Sequence, residues 1–444
     1  MGKFVFNHLT DKHNAIAGSN RMEQWTGNFF VLCLMGSLFV QPKPTLIMMV
    51  VGALMLLWIL ATGSGRSAIS LAFTKQSYLI TTALLLWFLV HLLMVLVHPP
   101  LAWRQLGNYA RAVVAIGVFV FILKSKPQEN YFFIGVAIAC VGAFAHALYD
   151  RYVDKHLRAI GWFNNDIHFG DYSSLAGVFA ILIGVLASHV KTSWRIGLVC
   201  LGALGVAAAA ISGTRSALLA LVCLLPIALS QHRDLTQKYF RWALIAAIFG
   251  SSLLVATSAS LRQQMRITEA IWDVKMILSG KAQTSIADRL EMWKASINMA
   301  KRAPILGIGM ANYEADLQHQ IDTQQIRPLL TKQNQAHSQI FHSLATGGAV
   351  LLIAYLAFIF VPFFWFWQIY RRYSSDSQMR LLAHLGIAHI GAHFIFGLTA
   401  AIFDIQVFAS FYVLGLACFA AMCRNRATLI EHGLEHEHLA NIKY

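Results

Sequence analysis

The chain is short of charge. Asp, Glu, Lys and Arg make up 12% of its 444 residues, about half the ~25% usual in soluble domains, while 57% of residues are hydrophobic. A sequence this poor in charge, with a mean hydropathy of +0.57, cannot clothe a water-facing globule, and an integral membrane protein is expected. Cysteine is scarce as well. The six cysteines, Cys33, Cys140, Cys200, Cys223, Cys418 and Cys423, fall within or at the ends of apolar runs, so neither a disulfide framework nor a thiolate metal site is implied. No DxD pair occurs, and no external cluster of carboxylates of the kind Mg²⁺ or Mn²⁺ requires can be read off. No apolar core precedes Gly27, so a cleavable signal is not expected and the first span should act as its own insertion signal.

Long apolar runs are plentiful. Crossing the hydrocarbon takes roughly 17 to 25 mostly apolar residues, and about twelve runs approach that length, nine before residue 260 and three after residue 346. Runs this uniform are helices, because a helix satisfies its own backbone in lipid. The sequence therefore predicts an all-α membrane protein of about twelve spans. It divides into a bundle over 1–259, a polar interval over 260–346, three spans over 347–423 and a tail over 424–444.

The formal charge of +15 could suggest nucleic acid, but its distribution points elsewhere. Lys and Arg gather in alternate short loops: Lys124 with Lys126, Lys191 with Arg195, Arg371 with Arg372 and Arg380, then Arg424 with Arg426. Such alternation is the positive-inside pattern, which puts those loops in the cytoplasm and the 260–346 interval on the external face. Many of the tryptophans lie close to span ends, where interfacial anchors are expected.

The polar interval holds the densest mixture of Arg, Lys, Asp, Gln and Trp in the chain. Ser285–Asp288 has capping-box spacing with Asp in place of Glu or Gln. Ile286, Leu290, Trp293 and Ile297 then recur at helical spacing and predict one apolar face, with Arg289 at its edge and Pro304 closing the helix. His337 stands where the interval returns to apolar sequence. Upstream, the tight turn from Ile211 to Ser216 places Arg215 at a helix start, where Thr214 or Ser216 could cap. Two guanidinium groups near a helix amino terminus suit a diphosphate, and a histidine beside them can take a proton from a hydroxyl near neutral pH. The bland alternatives are an interfacial arginine and a solvated loop histidine. His384, His389 and His393 on one span read equally as a proton relay or as packed neutral side chains. The tail string from His432 to His436 only formally resembles a zinc-peptidase motif.

Three segments carry a likeness: Ser212-Gly213-Thr214-Arg215-Ser216, Arg289-Leu290-Glu291-Met292-Trp293 with Pro304 to Gly309, and His337-Ser338 leading to Leu344 and Gly347-Gly348. Together with many spans, one late external loop and three closing spans, they resemble the O-antigen ligase family, which shares its pattern with O-antigen polymerases and protein O-oligosaccharyltransferases. Ser338 stands where such ligases often have Asn. The resemblance implies a GT-C-like glycosyltransferase in a bacterial inner membrane with a periplasmic active site. Such an enzyme moves a glycan from undecaprenyl diphosphate to lipid A core, needs no metal or other cofactor, and inverts the anomeric carbon. It implies that Arg215 and Arg289 hold the donor diphosphate and His337 activates the acceptor hydroxyl, with Ser338, Trp293, Arg158 and Asp404 as supporting residues. Partners would be the lipid-linked glycan, the acceptor and membrane lipids, with no nucleic acid. A polyprenyl-glycan transporter is the rival of another class; the paired repeats and broken helices frequent in transporters are not evident in the sequence.

Overall fold

A computed structural model describes residues 21–40, 44–74, 77–99, 103–217, 219, 220, 272, 285–431 and 433. Among them the regular structure is helical throughout. The amino-terminal part runs α1 (Arg21–Gly36), α2 (Pro44–Ala61), α3 (Gly63–Ala72), α4 (Tyr78–Val97), α5 (Trp103–Tyr109), α6 (Arg111–Ser125), α7 (Glu129–Tyr152), α8 (Asp166–Leu186) and α9 (Thr192–Ser212). The polar interval gives α10 (Ser285–Arg302) and α11 (Tyr313–Asp322), and the chain closes with α12 (Gln339–Arg372), α13 (Ser377–Gly397) and α14 (Gln406–Glu431).

Eight of the described helices are long and apolar enough to cross a membrane, or nine if α2 and α3, bent by 98° across Thr62, count as one span. That is fewer than the roughly twelve expected from run lengths. The expected spans near 216–229 and 242–258 lie outside the described residues, apart from a few positions at the start of the first. The run near Gly27 becomes α1, whose 16 residues fall just short of the roughly 17 needed to cross.

The helices collect the short loops at two ends. At one end Lys124 pairs with Glu23 at 2.7 Å, Glu129 with His189 at 2.5 Å and Arg426 with Asp376 at 2.7 Å. These are the basic loops singled out by charge, and they share one face as the alternating pattern requires. At the other end lie the 153–165 connection, the Ser212–Ser216 turn and the polar interval. Helix α8 is buried on every side from Phe169 to Leu186, so it forms the axis of the bundle. Helix α9 packs closely along it, and a Cβ at Gly170 would collide with the hydroxyls of Ser212 and Thr214. Glycine at this position therefore lets the turn that carries Arg215 lie directly on α8.

The polar interval has its own small core of Met292, Ala295, Met299, Tyr313, Leu317, Ile326, Ala336 and Ala345. It is tied to the bundle by its backbone: Ile308 and Gly309 donate to the carbonyls of Ala345 and Thr346 at 3.0 and 2.9 Å, and Ala349 donates to Pro304 at 2.8 Å. Helix α12 breaks at Gly348, where φ is +59° and ψ −153°. A Cβ there would sit 2.5 Å from the backbone of Ile305, so only glycine admits the approach. Ring nitrogen Nε2 of His98, just beyond α4, adds a contact with the Gly307 carbonyl at 3.0 Å.

Three local expectations are corrected. The buried face of α10 is built from Ala287, Met292, Ala295, Ser296 and Met299, whereas Leu290 and Ile297 are 44% and 40% exposed. Smaller residues and methionines fit the close approach to α11 and α12, and the larger aliphatics turn outward. Asp288 does not close a capping box. Its carboxylate takes Arg327 at 2.9 Å and the backbone N–H of Leu330 at 3.0 Å, because an internal cation and donor are within reach. Nor do Thr214 and Ser216 cap the helical stretch that opens at Arg215: Thr214 Oγ1 donates to the Asp166 carbonyl at 2.8 Å and Ser216 Oγ to Asp171 at 2.7 Å. Both hydroxyls instead pin the turn to α8.

Candidate functional site

The turn, the 153–165 connection and α10 converge on a cavity of about 110 Å³ lined by Arg158, Thr214, Arg215, Ser216, Arg289 and Thr399, among others. Three guanidinium-bearing side chains, from positions far apart in sequence, thus face one space. Arg158 is anchored by its Nε to the Ser212 carbonyl at 2.7 Å and by an ion pair with Asp166. Its position follows from α8, whose first turn is capped by Asn165, the side chain accepting from the N–H of His168 at 3.0 Å. Sequence reading gave Asn165 no role, yet its cap fixes where Asp166, and hence Arg158, stands.

Arg289 is partly buried. It makes no hydrogen bond or ion pair with another described residue, and burial together with the neighbouring Arg215 lowers its pKa. A half-buried cation facing a second cation is costly unless an anion completes it. Such a cavity has the charge and the planar guanidinium forks that suit phosphate oxygens.

His337 does not line this cavity. It lies near Arg289, and its pKa is lowered by burial, by the Arg289 charge and by His342. Its backbone is left-handed, with φ +47°, a conformation that histidine adopts more readily than most residues. Neighbouring contacts hold it there. The Trp293 indole donates to the Ala336 carbonyl at 3.1 Å and stacks on Phe341 at 4.8 Å. The amide oxygens of Gln335 and Gln339 accept from the N–H groups of Ala401 and Phe403, each at 3.0 Å. Ser338, 3% exposed, occupies the N-cap position of α12 without capping through its side chain. Its carbonyl accepts from the N–H of His342 at 2.9 Å. Imidazole Nε2 of His337 meets Gln333 Oε1 at 2.8 Å.

Behind this segment lies a buried network that sequence reasoning caught at one member only. Asp404 Oδ2 is 2.7 Å from His342 Nε2, and Oδ1 accepts from the Tyr109 hydroxyl. The side chain of Asn108 holds the Asp404 carbonyl at 2.7 Å, and the His91 ring stacks on Tyr109 at 3.5 Å. Burial acts to raise the Asp404 pKa, but His342, Tyr109 and His91 outweigh it and hold the carboxyl below the usual range. His342 and Tyr109 carried no motif. The available signal was a histidine one helical turn past Ser338 in an otherwise apolar run, which reads as packing without the fold.

Other candidates fall away from the site. His389 and His393 sit inside α13, bonded to the Tyr412 and His389 carbonyls at 2.9 and 2.7 Å among Tyr172, Phe411 and Tyr412. His384 bonds the Arg380 carbonyl at 2.7 Å near the opposite end. The tail string beginning at His432 lies outside the described residues apart from Gly433. Among the described residues no group of three His, Cys, Asp or Glu side chains is placed to hold a metal ion.

Comparison with known proteins gives two findings. Residues 200–356 match the family model described as O-antigen ligase, a stretch that contains Arg215, Arg289 and His337. The chain is also similar to an uncharacterized protein of Haemophilus influenzae, 22% identical over 358 residues that cover 79% of this chain and 87% of that protein.

Proposed function

We propose that this multi-pass membrane protein, whose residues 200–356 match the family model described as O-antigen ligase, transfers a glycan from undecaprenyl diphosphate to a hydroxyl of lipid A core. The observation that carries this reading is the meeting of Arg158, Arg215 and Arg289 around one cavity, with His337 electrostatically coupled to Arg289.

In this reaction the acceptor oxygen forms a bond to the anomeric carbon while the bond from that carbon to the phosphate oxygen breaks. The electron pair leaves with the diphosphate, and Arg215 and Arg289 stabilise the charge that develops there. The hydroxyl proton passes to the neutral imidazole of His337, whose lowered pKa keeps it unprotonated. A single displacement inverts the anomeric carbon. Guanidinium groups do the electrostatic work that a divalent ion does elsewhere, so the reaction runs without metal. The face opposite the basic loops would be periplasmic, and the membrane a bacterial inner membrane.

The deciding experiment removes the gene and examines surface glycan. Loss of all polymer from lipid A core, with chains accumulating on the lipid carrier, supports the ligase. Single repeat units still attached to core contradict it and indicate polymerisation.

A further inference from the structure

The bond between His337 and Gln333 decides which imidazole nitrogen can act. The amide nitrogen of Gln333 donates to Thr331 Oγ1 at 2.6 Å, which leaves Oε1 directed at His337 Nε2 at 2.8 Å. An amide oxygen can only accept, so Nε2 must carry the proton in the neutral ring. The lone pair then resides on Nδ1, which makes no hydrogen bond to any described residue. We infer that Gln333 is a positioning residue: it fixes His337 in the tautomer whose Nδ1 receives the acceptor proton.

The inference rests on His337 being the base of the proposed transfer, and it goes further by naming the reacting atom and the side chain that selects it. In hydrolytic triads a carboxylate performs this duty and also stabilises the imidazolium that forms. Here the partner is neutral, which suits its surroundings. Among the described residues, the charged or titratable groups facing His337 are Arg289 from α10 and His342 from α12, and a carboxylate at residue 333 would bring negative charge toward a site that must attract a diphosphate. A neutral amide sets the tautomer without raising the imidazole pKa. The histidine thereby stays a base at mildly acidic pH. The backbone leaves little freedom for an alternative ring placement, since Ala336, Gln335 and Gln339 on either side of His337 are each held by a hydrogen bond across the fold.

Two measurements on the full-length purified protein test this. The first is independent of activity: ¹⁵N spectra of histidine-labelled protein, with His337 assigned by its loss in His337→Gln. A protonated Nε2 with an unprotonated Nδ1 is expected, and the opposite tautomer overturns the inference even if transfer is observed. The second is the pH profile of transfer from undecaprenyl diphosphate glycan to lipid A core. Gln333→Leu should lower the high-pH plateau on the order of 10- to 100-fold, as loss of a histidine-orienting partner does at metal sites. Gln333→Glu, whose carboxylate still accepts from Nε2, should recover most of that plateau while moving the acidic limb to higher pH, because the added negative charge favours the imidazolium. A wild-type plateau in Gln333→Leu, or equal losses in both variants with an unmoved limb, overturns the assignment. Absence of any transfer by the wild-type protein would instead count against the proposed function, and the tautomer would still be decided by the spectra.

Discussion

Nε2 of His342 lies 2.7 Å from Oδ2 of Asp404, joining the first turn of α12 to the connection between α13 and α14. Thr399 of that same connection lines the arginine cavity. The pair therefore ties the floor of the histidine segment to the wall of the arginine cavity. Asp404→Ala would leave the His342 ring and the Tyr109 hydroxyl without their partner, at a cost of about 1–3 kcal/mol for each orphaned buried group. Chemical or thermal unfolding of the detergent-solubilised variant checks this, and unaltered stability would count against the network.

The same carboxyl gives a pH signature. Asp404 is held below the usual carboxylate range, so its ionisation adds stability that is complete above the unfolded value of about 3.9 and is lost as pH falls through the lower folded value. The stability gap between wild type and Asp404→Asn should be constant from neutrality to about pH 5 and shrink below about pH 4. A gap that widens on acidification contradicts the assignment.

His337 should behave as a base that remains neutral into mildly acid solution. Burial and the Arg289 charge lower its pKa, so the acidic limb of the rate profile should lie below the ordinary imidazole value of about 6.5. Arg289→Gln removes that charge and should move the limb upward, alongside its loss of rate. His337→Ala should lower turnover by about 10²- to 10⁴-fold with unchanged folding.

Docking of the polar interval on α12 depends on Gly348. A methyl group at φ +59° and 2.5 Å from the Ile305 backbone cannot be accommodated without moving the 304–309 turn. Gly348→Ala should lower both stability and transfer. Protease sensitivity of the 285–337 region reports the loosening, and a variant as resistant as wild type would show that the approach is not needed.

The sequence singled out Arg215, Arg289 and His337 through segments that resemble the O-antigen ligase family, and the structure brings the two arginines to one cavity while leaving His337 outside its lining. Arg215, Arg289 and His337 are polar side chains beside apolar runs, and such residues need a reason to be there. Arg158 was legible only as a supporting residue of the smaller loop, because its place depends on the Asn165 cap and the Asp166 pair. The apolar face of α10 was misjudged from periodicity: Leu290 and Ile297 repeat at helical spacing, but the helix instead buries its methionines and alanines. Periodicity shows that a face exists; it does not say which neighbour will cover it. The network of Tyr109, His342 and Asp404 was illegible for a related reason, since its members come from α5, α12 and the connection before α14 and meet only when those elements pack.

Chelation supplies a further check on the chemistry. With arginines holding the leaving diphosphate, transfer should proceed at its full rate in excess EDTA, and an obligatory divalent ion would require a different account of how the leaving group is stabilised.

The most direct measurement is the rate at which purified protein releases undecaprenyl diphosphate from a lipid-linked glycan in the presence of lipid A core, compared among wild type, Arg215→Lys, Arg289→Lys and the double variant. A lysine keeps the charge but lacks the planar fork. Large losses in both single variants, with little further loss on combining them, are the expected result for two side chains that clamp one diphosphate. Wild-type rates in the double variant would contradict the account.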